Sequence, residues 1–423
     1  MSKAKQKILS NINKNLKEYY KIIKNTVTSN RITLSEPSFS DKEAKVLIGN
    51  FLIGNISQGK NVEEFENAFS KKIGCKYGIT TNSGSSANLL ALSALKNIYK
   101  LKNNDEVIIP ASTFATVAMP IIQIGLKPVY VDIDIDTLNI NINQIKKAIT
   151  KRTKIIMPVH TLGMPCHMKD ILKIAKKNDI LVFEDCCEAH GASIKNKKVG
   201  SLGLVSAFSF FVAHNITTGE GGMILTNDKN IYNECLSLRE FGRIKQSTIS
   251  SSRYYTDKNL TEYDKRYVFT KMGYNMRMTD LQASVGVIQT KKMDALNKVR
   301  ASNSEYLDKL INKFLSKDFI TTKKVKNYFN SRYTFPIIIK NTSNYSRKTI
   351  CDYLEKNNIQ TRPMMGGCLP DQPGLNLEKG RSVGSLKISR YIKDNCFFVG
   401  IHPMIKKTQL KKMVELLRVF LNE

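Results

Sequence analysis

Between about residue 40 and residue 290, short apolar runs alternate with amphipathic stretches. The runs Val107–Pro110, Pro128–Asp132, Ile155–Val159, Ile180–Glu184, Val205–Phe211 and Met223–Thr226 are rich in Val, Ile or Phe and are bounded by polar residues, Gly or Pro. That pattern predicts short buried strands. Ala87–Tyr99 and Met168–Lys177 lie between them and repeat apolar residues at helical spacing. Strand–helix alternation predicts an α/β fold with a mostly parallel central sheet covered on both faces. Residues 1–35 are lysine-rich and helix-compatible, which predicts an N-terminal helical arm. Residues 243–268 are polar and lack a periodic apolar face, so they read as a long excursion of the kind that sits near functional sites. A helical stretch, Thr279–Leu310, follows. Beyond it, a strand at Tyr333–Ile339 and helices at Arg347–Lys356 and Lys407–Leu421 predict a smaller α/β lobe. The expected division is an arm at 1–35, a large domain at 36–290 and a small C-terminal domain at 291–423.

Composition narrows the function classes. The 423 residues are 42% hydrophobic and 24% charged, which is globular rather than disordered or fibrous. No run reaches the ~18 consecutive apolar residues of a membrane span. The basic start, MSKAKQKILS, has no apolar segment behind it and no small-residue cleavage site, so a cytoplasmic protein with no membrane partner is expected. The net charge is +30. The lysines behind it are spread along the chain, and no RNP-like, finger or basic-region motif accompanies them, so nucleic acid is not an expected partner. An anionic small-molecule substrate suits the charge. The eight cysteines show no C-x-x-C pair and no zinc spacing, so no metal site is expected and the thiols read as reduced.

Four segments carry chemistry. In Thr80–Leu95, a Gly84-Ser85-Ser86 turn opens into a helix, and free N–H groups with two hydroxyls make an anion site. An ordinary serine cap is the competing reading. In Ile180–Ala192, an apolar strand delivers Glu184 and Asp185 at its C-terminal end, the edge where open α/β sheets bind ligands. A buried Asp there can pair with a protonated ring nitrogen, although a helix-capping Asp reads equally well. In Val205–Asn227, a strand ends at Ser209, a turn holds His214, and Gly219-Glu220-Gly221-Gly222 permits a tight reversal before the next strand. A lone His is more often structural than a catalytic base. In Lys271–Gly286, Asn275 and Arg277 sit on a loop just before a capped helix.

The ordered motifs SGSSAN, TFATVAMP, EDCCEAHGA, SFF followed by HNITTGEGG, and GYNMRMTDLQA resemble the DegT-type nucleotide-sugar aminotransferase family. The resemblance covers residues 40–290 well and the C-terminal part weakly. It implies a fold-type I enzyme that uses pyridoxal or pyridoxamine 5'-phosphate. It also implies that Gly84, Ser85, Ser86 and Ser209 hold the cofactor phosphate and that Phe114 stacks on the pyridine ring. Asp185 would pair with the ring nitrogen and Glu188 would lie near the phenolic oxygen. Asn275 would reach the phosphate of a neighbouring subunit, in a homodimer with shared active sites. Arg243 and Arg362 are candidate diphosphate contacts, since Arg suits bidentate phosphate binding, with surface ion pairing as the alternative.

One position departs from the aminotransferase pattern. The family's Schiff-base Lys, in the turn after SFF, is replaced by His214. Imidazole cannot form a stable imine, so covalent capture of the cofactor is lost. The Lys-to-His pattern resembles the family's 3-dehydratase branch. That branch implies C3 dehydration of a nucleotide-linked 4-keto-6-deoxyhexose for surface-polysaccharide synthesis, with His214 as acid and base. One style of this branch carries a [2Fe–2S] cluster and takes electrons from a reductase; the other has no cluster and regenerates the amine from glutamate. A cluster needs about four thiolates. The stretch from Gly242 to Gly273 has no Cys, which favours the glutamate style. A reductase-coupled dehydrase and an aminotransferase relative with altered catalysis are the alternatives.

Overall fold

The Val/Ile/Phe-rich runs pair into one eight-stranded sheet. Its spatial order is Tyr77–Thr81, Gly222–Thr226, Val205–Ser209, Leu181–Asp185, Thr153–Ile156, Glu106–Pro110, Lys127–Val131 and Arg381–Ser382. From Val205–Ser209 to Arg381–Ser382 every neighbouring pair is parallel, whereas Gly222–Thr226 runs antiparallel to both its neighbours. Glu106–Pro110, Val205–Ser209 and Gly222–Thr226 are buried at every position. Burial on both faces explains why these strands read as continuous apolar runs rather than alternating ones. Ile109 packs under the Gly84–Ile98 helix on one face, and Ile108 packs with Ile145 and Ile171 on the other. The computed structural model describes residues 3–26, 31–244, 254–257, 260–264, 267–376 and 380–422.

A second sheet, entirely antiparallel, orders Phe319–Ile320, Phe335–Ile339, Cys396–Val399 and Thr361–Pro363. Its core is closed by Ile350, Leu354, Leu410 and Leu417 from the helices Arg347–Lys356 and Lys407–Phe420. The 35-residue helix Asp280–Phe314, started by a Thr279–Gln282 capping box, runs through residue 290 and packs on both sheets. Two segments cross between the lobes. Ile32 joins the second core and pairs with Ile359, while Cys368, Leu369, Leu375 and Leu386 return to the first core. The N-terminal helix spans Lys3–Thr26.

The polar excursion at 243–268 is not wholly irregular. Tyr254–Asp257 pairs antiparallel with Leu260–Asp264 in a two-stranded hairpin. The β-favouring Tyr254-Tyr255-Thr256 run supplies the local reason. Residues 245–253 lie outside the described residues.

Candidate active site

Three strand ends meet at the C-terminal edge of the large sheet. The Leu181–Asp185 strand presents Glu184 and Asp185 to opposite faces, as its two-residue period demands. Glu184 turns inward and is fully enclosed. It accepts N–H bonds from Gly200, Leu202 and Gly203 at 2.9, 2.8 and 2.6 Å, and lies 3.0 Å from His160 Nε2. These donors hold its carboxyl below the usual range against the pull of burial. Glu184 is therefore a structural knot, and Asp185 is the carboxylate that faces the site. Asp185 Oδ2 accepts from Asn88 Nδ2 at 2.8 Å, and Oδ1 accepts from the Cys187 N–H at 3.0 Å.

The Gly84–Ile98 helix begins beside that carboxylate. Ser83 caps it, its Oγ accepting from the Ser86 N–H at 3.1 Å. A Cβ at Gly84 would lie 2.5 Å from Ser209 Cβ and 3.1 Å from Cys187 Sγ, so only glycine lets the helix start meet the end of the Val205–Ser209 strand. A Cβ at Gly222 would collide with the Ser83 carbonyl. The glycines thus press two strands and a helix N-terminus together. Ser85 is exposed there, Ser86 is half-buried and Ser209 is buried. This is a cradle of hydroxyls and helix N–H groups suited to a phosphate.

Glu188 and His214 stand on the inner side of the cradle. Glu188 Oε2 accepts from the Leu162 N–H at 2.6 Å. Leu162 holds a left-handed backbone at φ 50°, ψ 27°, a strained state for a leucine. Burial, reinforced by the charge of Asp185, pushes the Glu188 carboxyl up to about 8. The His214 backbone N–H donates to the Phe211 carbonyl at 3.0 Å, and its Nδ1 is buried without a partner among the described residues. Its ring centroid lies 5.2 Å from Tyr333, 5.8 Å from His190 and 6.3 Å from Phe211. Burial, aided by the charge of Arg300, pushes the imidazole down to about 3, so the ring is neutral at ordinary pH.

The other expected residues fall into two groups. Phe114 is exposed, on a loop tied to the cluster by Asn88 Nδ2 on the Thr116 carbonyl at 3.3 Å. Gly366 of the second lobe lies against the Thr113 carbonyl beside it, where a Cβ would collide. Asn275 is exposed too, and its loop reaches the Ser83 turn through the Asn82 N–H on the Met276 carbonyl at 3.0 Å. Arg243 pairs by its backbone with Phe269, its guanidinium 5.9 Å from that ring and its Nε buried without a partner among the described residues. Arg362 is exposed, with Nη1 on the Thr361 carbonyl and 3.8 Å from Glu355. None of those Arg362 contacts reaches the His214 cluster. Asn88, Leu162, His190, Tyr333 and Arg300 were not singled out from the sequence. A legible trace existed only for Asn88, a polar residue on an otherwise apolar helix face.

Comparison with known proteins agrees with this arrangement. The DegT/DnrJ/EryC1/StrS aminotransferase family model matches residues 40–418. The chain is 34% identical over 387 residues to the lipopolysaccharide biosynthesis protein RfbH of Salmonella typhimurium, covering 88% of each chain. It is 33% identical over 388 residues to the GDP-4-keto-6-deoxy-D-mannose 3-dehydratase of Escherichia coli O55:H7, covering 91% of this chain and 99% of that one. The solved E. coli GDP-4-keto-6-deoxy-D-mannose-3-dehydratase with bound hydrated PLP superposes with a TM-score of 0.84 at 32% identity, covering 91% of this chain and 99% of that one. With a matched region that contains every element of the cradle, the chain belongs to the DegT/DnrJ/EryC1/StrS aminotransferase family.

Proposed function

We propose that this protein is a pyridoxamine-phosphate-dependent 3-dehydratase of a nucleotide-linked 4-keto-6-deoxyhexose, serving surface-polysaccharide synthesis in the cytoplasm. One observation carries the reading. An imidazole, not an amine, occupies the turn after Ser209, its ring 5.2 Å from that of Tyr333, which lies near enough to Glu188 to feel its charge. Two relatives bear the name GDP-4-keto-6-deoxy-D-mannose 3-dehydratase. A solved structure of that enzyme holds GDP-perosamine, and another a trapped PLP–glutamate adduct.

The residues present fit the cofactor. Gly84, Ser85, Ser86 and Ser209 surround the helix start that would receive its phosphate, and Phe114 would cover the ring. Asp185, already oriented by Asn88, would face the ring nitrogen. When bound, pyridoxamine phosphate supplies an amine for the C4 ketone and a ring that takes up electrons. Glu188, protonated near neutral pH because burial raises it to about 8, can donate a hydrogen bond to the phenolic oxygen. His214 enters the reaction neutral and accepts a proton from the carbon beside the amine. Its buried imidazolium is costly, so it hands the proton on readily to the departing C3 oxygen. That step releases water. Hydrolysis and an exchange with glutamate then give the 3-deoxy product, ammonia and the 2-oxo acid. Asn275 would complete the phosphate site of a second copy. The exposed Tyr267, Phe269 and Met272 on the same loop form an apolar surface that a homodimer would cover.

The test uses purified protein with pyridoxamine phosphate, glutamate and the GDP-, CDP- and dTDP-linked 4-keto-6-deoxyhexoses. Mass spectrometry should show a sugar product lighter by one oxygen atom with at least one nucleotide. Transfer of an amino group to C4 with every substrate would refute the reading.

A further inference from the structure

Arg300 is a buried cation that the proposed chemistry does not use. It sits inside the Asp280–Phe314 helix and is 2% exposed. Its Nη1 donates to the Tyr333 carbonyl at 2.9 Å, and its Nε is buried without a partner among the described residues. Among the described residues no carboxylate pairs with it; the titratable groups near enough to feel its charge are Tyr333, His190, His214 and His402. A guanidinium desolvated without a counter-charge is costly to bury. Leucine or methionine would fill such a site more stably.

Its surroundings show where the charge acts. The carbonyl it holds belongs to the residue whose ring lies 5.2 Å from His214. The Tyr333 N–H continues to the Leu162 carbonyl at 3.1 Å, and the Leu162 N–H to Glu188. One turn earlier on the same helix, Asn297 Nδ2 donates to the His190 carbonyl at 2.6 Å, and Asn297 Oδ1 accepts from Asn215 Nδ2 at 2.9 Å. Asn297 and Arg300 together therefore back the two loops that carry His190 and His214. The titratable groups facing His214 are His190 from the Cys186–Gly191 turn, Tyr333 with Glu188 beyond it, and Arg300 from the helix.

We propose that Arg300 is a positioning residue for the base: its buried guanidinium, held on the Tyr333 carbonyl, fixes the Tyr333 wall against His214 and sets the surroundings of that imidazole. This rests on His214 being the base. Field and desolvation act in the same direction on the ring, as the charge of Arg300 and burial both disfavour a second cation.

The test reads imidazole titration directly, without turnover. Deuterium exchange at the histidine Cε1, measured peptide by peptide by mass spectrometry across pH, reports the titration midpoint of His214. Full-length wild type, Arg300→Met and Arg300→Gln are compared, with His214→Asn to identify the peptide. In wild type the His214 midpoint should lie below that of an exposed histidine. Both Arg300 variants should raise it by about one unit or more, the size expected for a nearby like charge. Arg300→Gln keeps a donor for the Tyr333 carbonyl, so it isolates the charge and decides the matter if Arg300→Met fails to fold. Arg300→Lys should leave the midpoint low. A folded Arg300→Gln with an unchanged midpoint would overturn the proposal. Failure of the function reading looks different: His214→Asn would turn over at the wild-type rate whatever the midpoints show.

Discussion

Asn88 Nδ2 donates to Asp185 Oδ2 at 2.8 Å, joining the helix that opens the phosphate cradle to the strand that ends in the site's carboxylate. The bond holds the buried Asp185 in a fixed orientation, its other oxygen held by the Cys187 N–H. Replacing Asn88 by Ala removes one of these donors and frees the carboxylate to turn. Pyridoxamine phosphate affinity should fall by about tenfold, the value of one hydrogen bond to a charged group. Isothermal titration of the purified variant measures it; unchanged affinity would show that Asp185 needs no such support.

Gly84→Ala tests the cradle. The added methyl would meet Ser209 Cβ at 2.5 Å, between a strand and a helix start that have no room to part. A loss of about 1–3 kcal/mol in unfolding free energy is expected from overpacking of this kind. Cofactor retention should fall further than stability does, because the displaced atoms are those that would hold the phosphate. Urea unfolding and absorbance of the gel-filtered protein separate the two effects.

The proposed acid and base is His214. His214→Asn should bind pyridoxamine phosphate normally and lose roughly two to four orders of magnitude in turnover, the contribution of a positioned acid–base group. His214→Lys should lose dehydration and, after borohydride treatment, carry the cofactor covalently. Wild-type protein treated alike should show no adduct by intact mass. An adduct on any wild-type lysine would remove the basis for the dehydratase reading.

Stability should peak near pH 6.5 where buried groups oppose one another. His190, His214 and His402 are all held below the ordinary histidine value by burial, to about 3 for His214 and about 4 for His402. Below 6.5 the unfolded chain binds protons that the folded chain does not, so stability falls as pH drops from 6.5 toward 4. Glu188 acts oppositely. Its folded value near 8 means that the folded chain keeps a proton the unfolded chain has lost above about 4.5, so stability falls as pH rises toward 8. Three histidines outweigh one carboxyl on the acid side. Glu188→Gln should flatten the decline between pH 6.5 and 8 in thermal unfolding, with the acid-side decline retained.

The protein should hold far less than two iron atoms per chain after anaerobic reconstitution with iron and sulfide. The motive is the lack of Cys between Gly242 and Gly273, and the burial of Cys75, Cys166, Cys186, Cys235, Cys368 and Cys396 in the core. Stoichiometric iron with a visible charge-transfer spectrum would restore the reductase-coupled reading.

Local chemistry made much of this molecule legible in the chain itself. Strands such as Val205–Ser209 and Leu181–Asp185 announce themselves because burial on both faces demands uninterrupted Val, Ile and Phe. The Gly84-Ser85-Ser86 turn, Asp185, Ser209 and His214 stand in short ordered motifs, and the proposed cofactor site and base are taken from those motifs. Tertiary structure alone decided which of two adjacent acids faces the site. Glu184 and Asp185 differ by one step of the strand's alternation, and only the surrounding N–H donors reveal that Glu184 points inward. It alone paired Asn88 with Asp185, 97 residues apart, and brought Tyr333 and Arg300 from beyond residue 290 to the back of His214. Such pairings come from the packing of whole elements, to which periodicity within any one segment is blind. The pairing of Tyr254–Asp257 with Leu260–Asp264 was hidden because those two runs carry no apolar alternation to read.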